Sequence, residues 1–403
     1  MKTLSYTTSI LLVAAAAFST SHAADWPRWR GSNFDGKSIE SVSLSSWGAE
    51  GPKELWRGKV GIGWSSMTVV DGRVFTMGNA GGTDSVVAFD AKTGVEIWRH
   101  AYPCDEKDPN GYPGTRCTPT VDGDLVYTVS RHGDFFCLNA ASGKVIWSKN
   151  FKKDFKGSTP TWGYSGSPLV EGKLVIVEVG SSDGAAMAFD KLTGEVVWKS
   201  GGGGAGYASP IPYTLEGERA VLIFGPEGLS SLRVADGKKL WDFAWKTSYD
   251  VNASTPVVLG DKVFVSSGYN TGCALIQISG NKPVQLWKNK NLRSHMATAV
   301  HRDGVLYGFD ENDLRAIDVK TGAVKWSEGR YGKGSLQMVG DQLLVFGDKG
   351  LLALVEVKPD AFKEVASAQI LGGKSTWIVP VLSNGLIYAR SGETLVALNA
   401  GAK

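Results

Sequence analysis

The stretch Ala88-Phe89-Asp90-Ala91-Lys92-Thr93-Gly94-Val95-Glu96-Ile97-Trp98 decides the fold, because the chain repeats it. It returns as Ala188-Phe189-Asp190-Lys191-Leu192-Thr193-Gly194-Glu195-Val196-Val197-Trp198 and as Ala316-Ile317-Asp318-Val319-Lys320-Thr321-Gly322-Ala323-Val324-Lys325-Trp326. Weaker copies end at Trp147, Trp241 and Trp287. The closing tryptophans at 98, 147, 198, 241, 287 and 326 are spaced by the roughly 40–50 residues that four strands of a propeller blade need. Within each copy the Asp-x-x-Thr-Gly segment is a turn, whose Asp and Thr side chains bond local amides. Asp90, Asp190 and Asp318 are therefore read as turn residues rather than as acids for chemistry. Upstream, Ser167-Pro168-Leu169-Val170-Glu171-Gly172-Lys173-Leu174-Val175-Ile176-Val177 reads as strand, two-residue turn, strand. The same acidic-Gly or Asn-Gly device marks Asp71-Gly72, Asp122-Gly123, Asp303-Gly304 and Asn384-Gly385.

Two incomplete units finish the count. A seventh ends near Ile370, with isoleucine in the tryptophan position. The eighth starts at Ile378-Val379-Pro380 and stops at Leu398-Asn399, one strand short; Lys53-Glu54-Leu55-Trp56 reads as the missing strand. The expectation is an all-β, eight-bladed β-propeller with tryptophan-docking repeats, its ring closed by strands from both termini so that no open edge is left.

Composition agrees with this. The chain has 403 residues, 51 glycines for tight turns and 14 tryptophans for a repeated packing role. With 21% charged residues and a net charge of +3, it lacks the electrostatic footprint of a nucleic-acid binder. Residues 1–23 read as a signal peptide: Lys2, the apolar run Ile10 to Phe18 and Ser21-His22-Ala23, with cleavage expected between Ala23 and Ala24. No cysteine follows that point, so no lipid anchor is expected, and no later segment is apolar enough to cross a membrane. Residues 24–403 are expected to form one propeller domain, a monomer in the periplasm or outside the cell. In such a compartment Cys104 and Cys117, which flank a polar Pro/Gly-rich insertion, are a candidate disulfide, whereas Cys137 and Cys273 in apolar runs read as small buried hydrophobes.

The repeats, with the opening Asp25-Trp26-Pro27-Arg28-Trp29-Arg30-Gly31 and Asn33-Phe34-Asp35-Gly36, resemble the PQQ-like repeat propellers. These include the outer-membrane assembly lipoprotein BamB, the quinoprotein alcohol dehydrogenases and many secreted proteins. The resemblance covers essentially the whole mature chain and is specific for fold but not for function. It implies docking of the closing tryptophans between blades, worth about 2–3 kcal/mol each.

Function is expected where the repeat is consistently interrupted, just before each innermost strand. Aligned on the Ser-x-Pro positions, these residues are Trp64, Arg116, Tyr164, Tyr207, Asn252, His295, Lys333 and Trp377. This aromatic and polar ring at one channel mouth suits a sugar, a quinone or a peptide. In the quinoprotein dehydrogenases the resemblance implies a Ca²⁺ held by carboxylate and amide oxygens, an aspartate base and an adjacent cysteine pair. Here there is no such pair and no acidic cluster among the mouth positions, and Asn252 is the one amide among them, so no cofactor is expected. The histidines His100, His132, His295 and His301 lack metal-ligand spacing, and no Gly-x-Ser-x-Gly elbow is present. His295 reads more as a satisfied loop histidine than as a proton donor, and the insertion from Tyr102 to Arg116 as a rigid surface cap. Two readings follow. One is a binding or scaffold propeller serving an envelope protein partner, as BamB does in outer-membrane protein assembly. The other is a PQQ-type or carbohydrate-processing enzyme that uses the mouth.

Overall fold

A computed structural model describes residues 24–40, 43–106, 108, 110–373 and 376–401, so the expected signal peptide lies outside the described residues. Eight four-stranded antiparallel sheets surround a central channel. Blade 1 consists of Thr68–Val70, Arg73–Ala80, Thr83–Asp90 and Glu96–Pro103, from the axis outward. Blades 2 to 7 occupy residues 120–150, 169–200, 211–244, 257–289, 300–328 and 335–369. Blade 8 takes three strands from residues 381–399 and its outermost strand, Glu54–Lys59, from the other end of the chain. That strand pairs with Thr394–Asn399, Trp56 standing opposite Ala397, which is the expected closure.

The repeat motif builds the seams between blades. Asp90 Oδ1 accepts from the amides of Lys92 and Thr93 and from the Thr93 hydroxyl, which folds the turn. The turn then receives the tryptophan of the preceding blade: Trp56 Nε1 donates to Ala91 O at 3.0 Å, Trp98 to Ala140 O at 2.9 Å and Trp198 to Val234 O at 2.8 Å. Gly94 has φ +71°, and a Cβ there would lie 2.5 Å from the Trp56 ring. The glycine is thus required twice, for a left-handed backbone and for the indole stacked on it. Two seams depart from the rule. Trp241 donates to Tyr213 Oη inside its own blade, and Trp245 reaches across to Ser267 of blade 5 instead. Where Ile370 replaces the tryptophan, Leu44 and Trp47 of the N-terminal segment join the apolar cluster between blades 7 and 8.

Near the axis, the Ser/Thr-Pro positions act as latches. The Ser66 amide donates to Thr118 Oγ1, the Thr118 amide to Ser167 Oγ, and the Ser167 amide to Ser209 Oγ. Each innermost strand in this arc is thereby tied to the next blade. Arg390 of blade 8 closes the seam to blade 1, with its buried guanidinium donating to the carbonyls of Gly61, Ser65 and Met77 and to Thr76 Oγ1.

The opening motif is a plug. Trp26 exchanges backbone hydrogen bonds with Val69 of blade 1, and Pro27 O accepts from Val121 of blade 2. Trp29 Nε1 reaches Thr255 before blade 5, and buried Arg30 donates to Ala299 O before blade 6. Gly36 and Ser38 bond Met338 of blade 7, and Glu40 accepts from Gly385 of blade 8. The segment therefore crosses the hairpin end of the channel and is held by six blades.

Candidate functional site

Above the plug lies a cavity of about 240 Å³. Trp29 forms its floor together with the latch residues Thr118, Ser167, Ser209 and Thr255. Its walls include six of the eight predicted mouth residues: Trp64, Arg116, Tyr207, His295, Lys333 and Trp377. The other two predictions are corrected. Tyr164 and Asn252 stand three residues before Ser167 and Thr255, not two, and alternation turns their side chains away from the axis. Tyr164 is buried against Phe151 and donates to Val179 O. Asn252 is fully buried, its amide donating to Gly225 O and its Oδ1 accepting from Ser267. Ser165 and Ala253 take their places in the wall. His295 also stands three residues before its latch, Thr298, yet lines the cavity beside Met296. Its ring packs on Gly268, where a Cβ would come within 2.9 Å.

Two aromatic arcs face each other, from blades 8 and 1 and from blades 3 to 5. Trp64 and Trp377 stack with centroids 6.0 Å apart at 24°, and Tyr112 packs on both. Opposite, Trp162 packs edge-on against Tyr207 and Tyr249, and Tyr249 against Tyr269, which packs edge-on against His295 at 4.5 Å. Tyr249 and Tyr269 hold φ of 63° and 52°, left-handed conformations that are uncommon for such residues and concentrate at sites where loop geometry matters. Trp29, Tyr112, Trp162 and Tyr269 are absent from the sequence-based set because they lie in the plug and in loops outside the repeat register. Their one common signal is that each is an aromatic residue in a polar, Gly- or Pro-containing connection.

The cations have partners. Arg116 lies over the Trp64 ring at 5.1 Å and bonds Asp108, which is enclosed and also bonds Arg131 at 2.6 Å. Burial, then the nearby Arg131, pulls Arg116 down to about 10. The insertion thus does more than cap the surface, since it supplies both Tyr112 and the carboxylate that sets Arg116. Lys333 Nζ pairs with Glu311 at 2.7 Å and lies 3.1 Å from His295 Nδ1. Burial, then the Lys333 charge, lowers the His295 pKa and keeps the ring neutral.

The cysteine expectation is corrected too: Cys104 and Cys117 are free, buried thiols. Cys117 Sγ accepts from the Val129 amide, and burial pushes its pKa up to about 12. Burial and the Asp84 carboxylate raise Cys104. Both lie outside the strands in one apolar cluster, where burial keeps each thiol in the inert, protonated form. Cys137 and Cys273 are buried as expected.

The calcium-quinone arrangement demands oxygen donors that this cavity does not supply. Its lining contributes no carboxylate and no side-chain amide, and Asn252 is committed to neighbouring blades. Among the described residues, no group of three or more His, Cys, Asp or Glu side chains is placed to hold a metal. No helix among them is long and apolar enough to cross a membrane.

Eight docked blades, their turn motif and a ring closed by both ends of the chain define a PQQ-like repeat propeller. The family described as "Outer membrane protein assembly factor BamB" matches residues 82–328, and the chain belongs to it. It is similar to BamB of Burkholderia pseudomallei (strain K96243), 25% identical over 83% of this chain and 87% of that protein. It is also similar to quinohemoprotein alcohol dehydrogenase ADH IIB of Pseudomonas putida, 27% identical over 45% of this chain but only 25% of that enzyme. Among solved structures, BamB from Moraxella catarrhalis superposes with a TM-score of 0.62 at 16% identity, covering 86% of this chain and 96% of that one, which shows the shared fold.

Proposed function

We propose that this chain is an extracytoplasmic, non-enzymatic binding propeller that captures a ligand in its plugged mouth. The observation that carries this reading is the cavity itself: a dead-end, aromatic-walled space whose bordering cations are already neutralised by Asp108 and Glu311. Concave, mostly apolar sites with a few convergent polar groups are built for binding. Catalysis would need a free acid, base or electrophile there, and His295 is held as an acceptor to Lys333. The donor set also argues against a resident calcium-quinone cofactor. The extracytoplasmic setting is supported by the likeness to outer-membrane assembly factors.

The test is a ligand screen of sugars, quinones and peptides on the mature protein, with the Trp64→Ala and Trp377→Ala variants alongside. The expected result is a hit whose affinity falls at least tenfold in both variants. Ligands bound equally by wild type and variants would refute the mouth as the site. Dye reduction with an alcohol or sugar after loading with PQQ and Ca²⁺ would refute the non-enzymatic reading.

The near-full-length match to BamB favours a second role, as a scaffold for an envelope protein in outer-membrane assembly. Outer strands of blades 1, 2, 3 and 5 expose Ile97, Ile146, Val197 and Leu286. Co-purification from envelope fractions, repeated with these side chains changed to serine, tests it; retention of the same partner by the serine variant would exclude these edges as its contact.

A further inference from the structure

The mouth, taken as the ligand site proposed above, has an aromatic ledge leading into it from outside. Tyr249, on the rim before blade 5, is 70% exposed and held at a φ of 63°. It packs edge-on against Trp162 and Tyr269, both half-buried in the cavity wall, at centroid distances of 6.3 and 5.4 Å. Trp162 packs in turn against Tyr207, which is buried in the same wall, at 6.0 Å. Aromatic rings therefore run without a break from solvent into the cavity. An exposed aromatic in an uncommon backbone conformation, held by two further rings, is a platform for something larger than the cavity holds.

The cavity takes one end of that ligand. Trp29 closes the floor, and about 240 Å³ equals roughly eight waters of liquid, room for one substituted six-membered ring. Charge narrows the class. Arg116 is already paired with the enclosed Asp108, and Lys333 with Glu311, so neither an anion nor a cation meets an unanswered counter-charge. Peptide termini are charged at neutral pH and would be buried without a partner. The floor hydroxyls narrow it further. Ser165 donates to Gly163 O, and Cys117 donates to Thr118 O, so the Ser167 hydroxyl donates to Cys117. Thr118, Ser167 and Ser209 each accept one backbone amide bond, which leaves each oxygen a second lone pair. A quinone brings acceptors only and cannot answer a lone pair. Sugar hydroxyls donate as well as accept, and the C–H faces of a sugar ring suit aromatic walls. We propose that the mouth binds the end of a neutral glycan chain, its terminal ring in the cavity and the following sugar stacked on Tyr249.

The experiment is isothermal titration of the mature protein with neutral gluco-, manno-, galacto- and xylo-oligosaccharides of increasing length, from the single sugar to the trisaccharide. A uronate trisaccharide, a tripeptide and a single-ring quinone serve as comparison. One neutral series should bind, with the trisaccharide about fivefold or more tighter than the single sugar and unaffected by added salt. Tyr249→Ala should cut that length advantage to less than about twofold, whereas Tyr249→Trp should keep it. Lys246→Gln, which removes exposed pairs with Glu227 and Asp250, should leave it unchanged, and thermal unfolding should show every variant folded. A length advantage that survives Tyr249→Ala, or no advantage at all, would overturn the ledge as part of the site. Binding of the uronate, tripeptide or quinone alone would overturn the neutral-glycan assignment, and its loss on Trp64→Ala would leave the mouth as a ligand site. If no compound binds, or none depends on Trp64, both readings fall together.

Discussion

Replacing Arg390 with methionine should open the ring at its closure seam. The guanidinium is fully buried without a carboxylate partner, and desolvation pulls its pKa down to about 9. What holds it is a set of five acceptors: Gly61 O, Ser65 O, Met77 O and Thr76 Oγ1 on the blade 1 side, and Gly392 O in its own blade. Hydrogen bonds from a charged donor contribute about 1.5–3 kcal/mol each, and methionine would leave these buried acceptors short of a donor. Against this, several kcal/mol of desolvation cost disappears with the charge. The balance is a loss of about 3–5 kcal/mol, read as the denaturant midpoint at unchanged m-value. Local opening should come first, so hydrogen exchange of Glu54–Lys59 and Arg73–Ala80 should accelerate more than that of blades 4 and 5. Arg57→Ala, which removes an exposed pair with Glu54 on the same closing strand, supplies the contrast at no more than about 1 kcal/mol. If Arg390→Met lost less than about 1 kcal/mol, or if exchange rose uniformly around the ring, the guanidinium would not be the clamp described.

Three further outcomes follow from the same geometry. Gly94→Ala should cost about 2–4 kcal/mol, because the turn needs positive φ and the new methyl meets the Trp56 ring; wild-type stability in urea would refute that double requirement. Asp108→Asn should destabilise by about 3 kcal/mol by leaving two enclosed guanidiniums without a counter-charge, checked by thermal unfolding with Arg116→Met as the compensating double variant. Glu178 accepts from the Gly206 amide, and burial raises its pKa to about 7. The folded state therefore holds a proton that the unfolded chain releases above about pH 4.5, so stability should fall as pH rises towards 7 and then level off. Because the residue is only half-buried although Oε1 is enclosed, the fall attributable to it is put at about 2 kcal/mol; a wild-type pH profile parallel to that of Glu178→Gln would refute it.

The propeller was legible because its signals are local and repeated. Asp90, Gly94 and Trp98 act within one turn and one neighbouring blade, so an 11-residue window carries both a turn and the tryptophan that docks on the next blade's turn. Closure was legible for a related reason: a unit lacking one strand at Asn399 and a spare strand at Glu54 have one economical solution. The mouth was legible only in part. Aligning on Ser-x-Pro assumes a constant spacing to the axis, and one extra residue before Ser167 and Thr255 turns Tyr164 and Asn252 into the blade seams. Trp29, Trp162 and Tyr269 had no register to be read from, since their positions depend on where a plug and two loops settle over distant blades. The thiol pair failed for lack of the third dimension: flanking the same insertion brings Cys104 and Cys117 into one core cluster, yet both are free thiols there.

Those departures are also what makes the mouth unsymmetrical. A ring of identical blades would present the same group at the same height eight times, giving a symmetric mouth with no means of orienting an unsymmetrical ligand. Symmetry is broken here by three pieces of non-repeat chain. The plug lifts Trp29 into the channel and anchors it on Thr255, one side of the axis only. The insertion places Tyr112 and Asp108 beside blade 2, fixing Arg116 against Trp64. The loops before blade 3 and within blade 5 bring Trp162 and Tyr269 to the opposite wall, and the exposed Tyr249 from the loop before blade 5 packs edge-on against both. Hydroxyl side chains line the cavity at blades 2 to 5, while His295 and Lys333 stand at blades 6 and 7. The cavity between them has a defined deep end and unlike faces, a polarity that the repeat alone could not supply.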